Sequence, residues 1–176
     1  MSRCSLLVAF VILVAPAAQA IESWVERRDA GLVKQSLDYS CGAASLATML
    51  SYELGRSTSE QEVLELWLEN VQEAGGRDEG LLYQGLSYAE MNQVVERLGF
   101  AAGGVAIPLE LVPALKHPVI VYFEVFGQPH FSVLRSANSR GIELADPSWG
   151  IVFITYPELG LLLGDSTEIK ALWLSA

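Results

Sequence analysis

Four side chains of this sequence have the types that thiol chemistry at a carbonyl carbon requires. A cysteine attacks as the thiolate, and a neighbouring histidine can take up its proton. A carboxylate can orient that histidine and stabilise its charge. A side-chain amide ahead of the cysteine can donate to the developing oxyanion, together with the backbone N–H of the cysteine. The candidates for these roles are Cys41 as nucleophile, His130 as base, Asp146 as orienting group and Gln35 as oxyanion donor.

The N-terminal segment has the features of an export signal. Arg3 precedes an apolar run from Leu6 to Val14, and Ala18-Gln19-Ala20 is a small-x-small cleavage site. The apolar run is shorter than the roughly 20 residues that a membrane-spanning helix needs. We expect residues 1–20 to be a signal peptide that is removed, which leaves residues 21–176 as one exported domain, periplasmic or extracellular. Retention of the segment as a membrane anchor is the alternative.

Cys41 is the one cysteine that such cleavage would leave, because Cys4 lies within the signal. Exported proteins usually join their cysteines in disulfide pairs. A lone cysteine is therefore either a small buried apolar side chain or a nucleophile. Cys41 lies at a predicted helix start, where free N–H groups and the positive end of the helix dipole favour a thiolate, and this position supports the nucleophile.

The other candidates have structural alternatives as well. His117 directly precedes Pro118 and is predicted to be a loop residue. His130 begins a strand just after a turn, at a sheet edge where side chains project toward a cleft. Asp146 ends a strand predicted to lie beside the histidine strand, although Asp-Pro is also a common turn starter. The structural alternative for Gln35 is an ordinary polar loop residue without a catalytic role.

The elements that must position these side chains form an α+β pattern. Periodicity and turn residues predict the order of the elements: helices come first, and a meandering, mostly antiparallel sheet follows. Ser59 and Ser87 each begin a capping box, with Glu62 and Glu90 three residues later. The predicted helices are 41–54, one after Ser59, one from Ser87 to Gly99, and 109–115. The predicted strands are 30–34, 100–107, 118–126, 130–135, 142–145, 151–156 and 168–174.

Three segments taken together resemble the C39 peptidase family. They run from Lys34 to Ala47 (KQSLDYSCGAASLA), from Gln128 to Leu134 (QPHFSVL) and from Leu144 to Gly150 (LADPSWG). The family comprises double-glycine peptidases best known as domains of bacteriocin-exporting ABC transporters. The resemblance implies a papain-like fold, the four site residues in the roles given above, and cleavage after a Gly-Gly pair that ends a leader peptide. No cofactor or metal is expected, because the sequence carries neither a phosphate loop nor clustered His/Cys ligands.

The sequence departs from the transporter-linked pattern. It contains no Gly-x-x-x-x-Gly-Lys-Ser/Thr phosphate loop, and it carries the export signal. It is more similar to free-standing, signal-bearing C39-like proteins of bacteria, some of which are encoded beside surface-fibre or secretion systems. The expected partners are a peptide or protein substrate and secretion or fibre-assembly machinery.

The charge balance excludes other partners. The net charge is −10, and no run of basic residues occurs. Nucleic acid is therefore not expected to bind, nor is an anionic membrane surface, and no stable membrane insertion is expected after signal removal.

Three functions stay open at this point: a thiol peptidase, a papain-like amidase or acyltransferase that uses the same groups, and a non-catalytic peptide-binding module. The first two share their chemistry, because the same groups attack any acyl carbon and the cleft determines the substrate. Retention of all four residues argues against the third.

Overall fold

The computed structural model describes residues 23–76 and 85–176. The proposed signal peptide lies outside the described residues. No helix within the described ranges is long and apolar enough to cross a membrane.

The chain begins with helices and continues as a sheet. The helices are α1 (Trp24–Asp29), α2 (Cys41–Thr48), α3 (Glu60–Glu73), α4 (Tyr88–Arg97) and α5 (Tyr156–Leu163), with a π-helical turn at Met49–Glu53 and a 3-10 helix at Leu109–Ala114. The strands are β1 (Ala101–Pro108), β2 (Val119–Val125), β3 (Gln128–Ala137), β4 (Gly141–Asp146), β5 (Gly150–Thr155) and β6 (Glu168–Ser175). The predicted α+β class is confirmed.

The six strands form one sheet in the order β1-β6-β2-β3-β4-β5, and every neighbouring pair is antiparallel. The predicted meander is correct from β2 to β5 and wrong at the other end. The C-terminal strand β6 inserts between β1 and β2, so it pairs with both. This placement depends on pairing between residues far apart in the sequence, which local patterns do not encode.

The sheet has a buried cluster on each face. Helices α2, α3 and α4 cover one face, where Ile120 and Val133 of the sheet meet Leu46 and Trp67 of the helices. Helix α5 and the 3-10 helix cover the other face, where Leu159 packs with Phe123 and Val121. The alternation of side chains along β2 explains why neighbouring residues of this strand belong to different clusters.

Helix α2 is buried along its whole length. All eight of its residues are buried, and five of them are Gly, Ala or Ser. An added Cβ at Gly42 would lie 2.6 Å from Cε of Met91 and 3.3 Å from the carbonyl oxygen of Leu86. The small side chains therefore allow α2 to lie close against α4 and β3, which brings its first residue, Cys41, to the sheet.

The two serine residues predicted to begin helices, Ser59 and Ser87, both cap them. Ser87 and Glu90 form the predicted reciprocal capping box. Ser59 accepts a hydrogen bond from the backbone of Glu62, but the Glu62 carboxylate pairs with Arg56 at 2.8 Å, so only half of that box is present. Thr155 and Glu158 form a further box that begins α5, a helix that the periodicity did not reveal.

The predicted strand at 30–34 is wrong. Gly31 has a φ of +75°, which no strand residue adopts. The N–H of Val33 donates to Oγ1 of Thr48 at 2.9 Å and not to a neighbouring strand. The segment is an irregular connection between α1 and the loop that leads to Cys41.

Candidate active site

Cys41 is the first residue of α2, and its side chain is 7 % exposed. The preceding Ser40 does not cap the helix with its side chain. Its hydroxyl instead donates to the carbonyl of Leu37 at 2.8 Å and accepts from the N–H of Leu37 at 3.2 Å. The first N–H groups of a helix have no partner within the helix, so the positive end of α2 faces the thiol.

His130 lies between Asp146 and Cys41. It occupies the third position of β3, and its Nε2 is 2.7 Å from Oδ2 of Asp146. The Cys41 side chain lies within interaction range of the ring. Because Nε2 is engaged by the carboxylate, Nδ1 is the ring nitrogen left for the thiol. Phe123 and Trp149 lie against the ring, with centroids 5.5 and 5.7 Å away.

The surroundings of His130 favour its charged form. Burial acts to lower the pKa of His130, but the hydrogen bonds and negative charges of Asp146 and Cys41 outweigh it and raise the pKa to about 9. The ring is therefore positively charged at neutral pH.

Asp146 is the last residue of β4, the strand that pairs with β3, and it is fully buried. Its Oδ1 accepts hydrogen bonds from the N–H groups of Ser148 and Trp149, both at 2.9 Å. Burial acts to raise the pKa of Asp146, but the bond to His130, its charge and these two N–H groups lower it below the ordinary value. The carboxylate is thus held ionised against the ring.

Gln35 lies beside the Asp146 turn. Its N–H donates to the carbonyl of Pro147 at 3.1 Å, and its Oε1 accepts from the Ser148 hydroxyl at 2.7 Å. Its Nε2 donates to the carbonyl of Leu37 at 2.9 Å. The structure therefore brings Cys41, His130 and Asp146 together and places Gln35 next to the turn that holds Asp146.

A cleft of about 460 Å³ opens at Cys41. Gln35 is not among the side chains that line it. A second cavity of about 380 Å³ shares four lining residues with this cleft and continues toward Tyr122 and Lys170. A larger cavity of about 530 Å³ lies between the β2–β3 hairpin and α5 and contacts none of the four candidates. The lining residues of the cleft are Asp38, Tyr39, Cys41, Gly42, Gly85, Leu86, Gln128, Pro129 and Phe131.

Two residues that the sequence did not single out support the site. Glu60, the first residue of α3, is buried and accepts from both the N–H and the hydroxyl of Ser36. Ser148 contacts both Asp146 and Gln35. The only signal for Ser148 was its place in the Asp-Pro-Ser-Trp segment, and nothing distinguished Glu60 from the other acidic residues of its capping segment. His117 is an exposed loop residue, as predicted.

Comparison with known proteins identifies the family to which the chain belongs. The sequence profile of the peptidase C39 family matches residues 29–161. A relative in Pseudomonas aeruginosa, named probable functional amyloid protease FapD, is 37 % identical over 130 residues. That alignment covers 74 % of this chain and 55 % of the relative, so the chain spans about half the length of the curated relative it matches.

Two solved peptidase domains share the fold. The peptidase domain of Streptococcus ComA, a bi-functional ABC transporter, superimposes with a TM-score of 0.65 at 19 % identity, over 82 % of this chain and 97 % of the domain. A double glycine motif protease from an AMS/PCAT transporter, in complex with the leader peptide, gives a TM-score of 0.60 at 21 % identity, over 81 % and 89 % of the two chains. By its sequence profile and its fold, the chain belongs to the peptidase C39 family, a family of cysteine peptidases.

Proposed function

We propose that this chain is a cysteine peptidase in which Cys41 is the nucleophile and His130 is the acid and base. Asp146 orients the imidazole, and Gln35 acts with the backbone N–H of Cys41 in the oxyanion hole. The observation that carries the proposal is the position of the His130 ring, between the buried Asp146 carboxylate and a thiol at the start of α2.

The reaction follows from these contacts. The Cys41 thiolate adds to the scissile carbonyl carbon, and the oxygen becomes an oxyanion. The tetrahedral intermediate collapses, the C–N bond breaks, and the His130 imidazolium gives its proton to the leaving amine. The neutral imidazole then takes a proton from water, which attacks the thioester. Collapse of the second intermediate releases the acid and restores the thiolate and the imidazolium.

The contacts of Gln35 are compatible with the oxyanion role. An amide nitrogen carries two hydrogens, and one of them is used by the carbonyl of Leu37. The other remains for a substrate oxygen. Catalytic hydrogen bonds are often long or misaligned without substrate and tighten in the complex, so the position of Gln35 outside the cleft lining does not conflict with the role.

We propose that the substrate has small residues next to the cut, a Gly-Gly pair above all. Gly42 and Gly85 line the cleft beside the thiol without side chains, which leaves room for a substrate backbone to pass close to Cys41. The fold shared with a double glycine motif protease supports this choice.

We propose further that the enzyme acts on an exported protein that assembles at the cell surface, in association with secretion machinery. The name of the FapD relative, a probable functional amyloid protease, supports a substrate of this kind. Export rests on the signal-like N-terminal sequence. N-terminal sequencing of protein recovered from outside the cytoplasm should begin at Ile21, and recovery of an intact chain from the cytoplasm alone would contradict export.

The test of the proposed function is peptide cleavage. The enzyme should cut an extended peptide after its Gly-Gly pair and leave a matched Leu-Leu peptide intact, as followed by mass spectrometry. Cys41→Ser should lower the rate by at least about 10³-fold, because His130 is placed to activate a thiol and not a much less acidic hydroxyl.

Unchanged cleavage by Cys41→Ser would contradict the thiol mechanism. If peptides stay intact while added amines receive acyl groups from amide donors, the amidase or acyltransferase function replaces the peptidase. Cleavage at Leu-Leu as fast as at Gly-Gly would reject the substrate proposal alone.

A further inference from the structure

Two short segments are joined beside the candidate active site, and Ser148 takes part in most of the contacts between them. Segment 34–35 leads to the Cys41 loop, and segment 146–148 follows β4. The N–H of Gln35 donates to the carbonyl of Pro147, and Nζ of Lys34 donates to the carbonyl of Ser148 at 2.6 Å. The Ser148 hydroxyl donates to Oε1 of Gln35 at 2.7 Å. Every polar group of Ser148 thus has a partner, since its N–H bonds Asp146.

The contacts of Gln35 determine which way its amide faces. The carbonyl of Leu37 can only accept a hydrogen bond, so the NH₂ group must lie on that side. Oε1 then lies on the side of Ser148, whose hydroxyl donates to it. A flipped amide would set Oε1 against the carbonyl of Leu37, two acceptors with no hydrogen between them.

The bond from Ser148 also affects the donor strength of the amide. A hydroxyl that donates to Oε1 polarises the amide group, which makes the N–H groups of Nε2 stronger donors. The bond restrains the side chain at the same time, and a donor already held in place loses less freedom when the oxyanion forms.

We propose that the Ser148 hydroxyl is a positioning group for the oxyanion donor: it holds the Gln35 amide in the orientation that presents Nε2 to the substrate. The proposal rests on the proposed role of Gln35. It makes Ser148 the residue that joins the two sides of the site, because its backbone N–H holds the carboxylate behind His130 while its side chain holds Gln35.

Ser148→Ala tests the proposal, because it removes the hydroxyl and keeps the backbone N–H that Asp146 uses. The kcat for the Gly-Gly peptide should fall about three- to tenfold, the effect of losing one partly exposed hydrogen bond, with KM within about twofold. Ser148→Thr, which retains a hydroxyl, should recover most of the activity. Ser139→Ala, in the exposed β3–β4 turn, is the matched control and should equal the wild type.

Alkylation of Cys41 distinguishes positioning from general damage to the site. The iodoacetamide rate of Ser148→Ala should stay within about twofold of the wild type, because the Cys41, His130 and Asp146 contacts remain. A parallel fall in alkylation and kcat would show that the hydroxyl supports the fold of the site as a whole, and it would overturn the proposal. If Ser148→Ala does not fold, the Ser148→Thr and Ser148→Cys variants allow the same comparison.

The Gln35→Ala background provides the decisive comparison. With Gln35 absent, Ser148→Ala should lower kcat by less than about twofold, because its effect passes through the amide. If Ser148→Ala lowers kcat as much in the Gln35→Ala background as in the wild type, the proposal is overturned. A loss of kcat in Gln35→Ala without any loss in Ser148→Ala also overturns it, while the oxyanion role of Gln35 stands. An unchanged kcat in Gln35→Ala rejects that role and the Ser148 proposal with it.

Discussion

Burial alone would lower the pKa of His130 and favour the neutral imidazole, yet the neighbouring Asp146 and Cys41 raise this pKa to about 9. The ring lies in a largely apolar setting between Phe123 and Trp149, where a positive charge is costly without a partner. Asp146 supplies that partner, and Asp146 is in turn kept ionised by two backbone N–H groups. At the scale of single residues, two backbone N–H groups stabilise the Asp146 carboxylate, and the carboxylate in turn stabilises the positive charge of His130.

The pH dependence of catalysis follows from the His130 pKa. The leaving amine needs a proton from the imidazolium, so kcat should fall as pH rises through about 9. The loss between pH 8 and pH 10 should be about tenfold, the fraction of imidazolium that such a titration removes. Initial rates on the Gly-Gly peptide across this range are the measurement.

Stability must be followed in the same experiment. The folded-state pKa of His130 lies above its ordinary value of 6.5, so protonation of this ring stabilises the fold below about pH 6.5 and that stabilisation is lost as pH rises through about 9. Samples returned from pH 10 to pH 8 should recover full activity if the alkaline loss reflects titration and not unfolding. A flat rate from pH 8 to pH 10 would contradict the role of the imidazolium.

The proximity of Cys41, His130 and Asp146 was expected from the sequence, because each of the three has a local signal. Cys41 precedes a run of small residues, His130 follows a turn, and Asp146 ends a strand. The contacts of Ser148 could not be predicted, since they join residues 113 positions apart. The hydrogen-bond partners of Gln35 were equally hidden, because amide contacts depend on loop geometry that single residues do not encode.

At the scale of elements, the loop before α2 is held by α3. The Glu60 carboxylate accepts from the N–H of Ser36 at 2.9 Å and from its hydroxyl at 2.6 Å. Ser40 closes the other end of this loop on Leu37. The start of α3 therefore fixes the path that the chain takes from Gln35 to Cys41.

Glu60→Ala should weaken this connection. It leaves the N–H of Ser36 without its acceptor, so the free energy of unfolding should fall by about 1–3 kcal/mol, measured by urea denaturation. The kcat should fall with it, because the loop carries Asp38 and Tyr39, which line the cleft beside Cys41.

Glu65→Ala is the control for Glu60→Ala, since Glu65 is exposed on the same helix and the change in charge is identical. Its unfolding free energy should stay within about 0.5 kcal/mol of the wild type. Equal effects of the two substitutions would show that the contact with Ser36 has no particular role.

The elements themselves were predictable to different degrees. Helices α3 and α4 carry serine caps and apolar periodicity, and strands β2 to β5 are β-branched segments between turns, so local chemistry was enough. Helix α1 has no buried residue and hence no periodic apolar face to detect. The segment 30–34 has the composition of a strand, but Val33 and Lys34 donate hydrogen bonds to Thr48 and Ser148 and not to a neighbouring strand.

At the scale of the whole molecule, the sheet connects the two halves of the site. Helix α2 packs on one face, and the start of β3 and the end of β4 carry His130 and Asp146. The position of β6 inside the sheet locks the C-terminal end of the chain to β1 and β2. The fold thus brings residues separated by about a hundred positions into one hydrogen-bonded unit without any local sequence signal for that proximity.

The central claim is that Cys41 reacts as a thiolate because His130 faces it, and alkylation by iodoacetamide at pH 6 tests this most directly. The wild type should react at least about tenfold faster than His130→Ala, because the substitution removes the ring that can take up the thiol proton. His117→Ala, which removes an exposed histidine outside the site, should react like the wild type. Equal rates for the wild type and His130→Ala would contradict the account and identify Cys41 as a structural thiol.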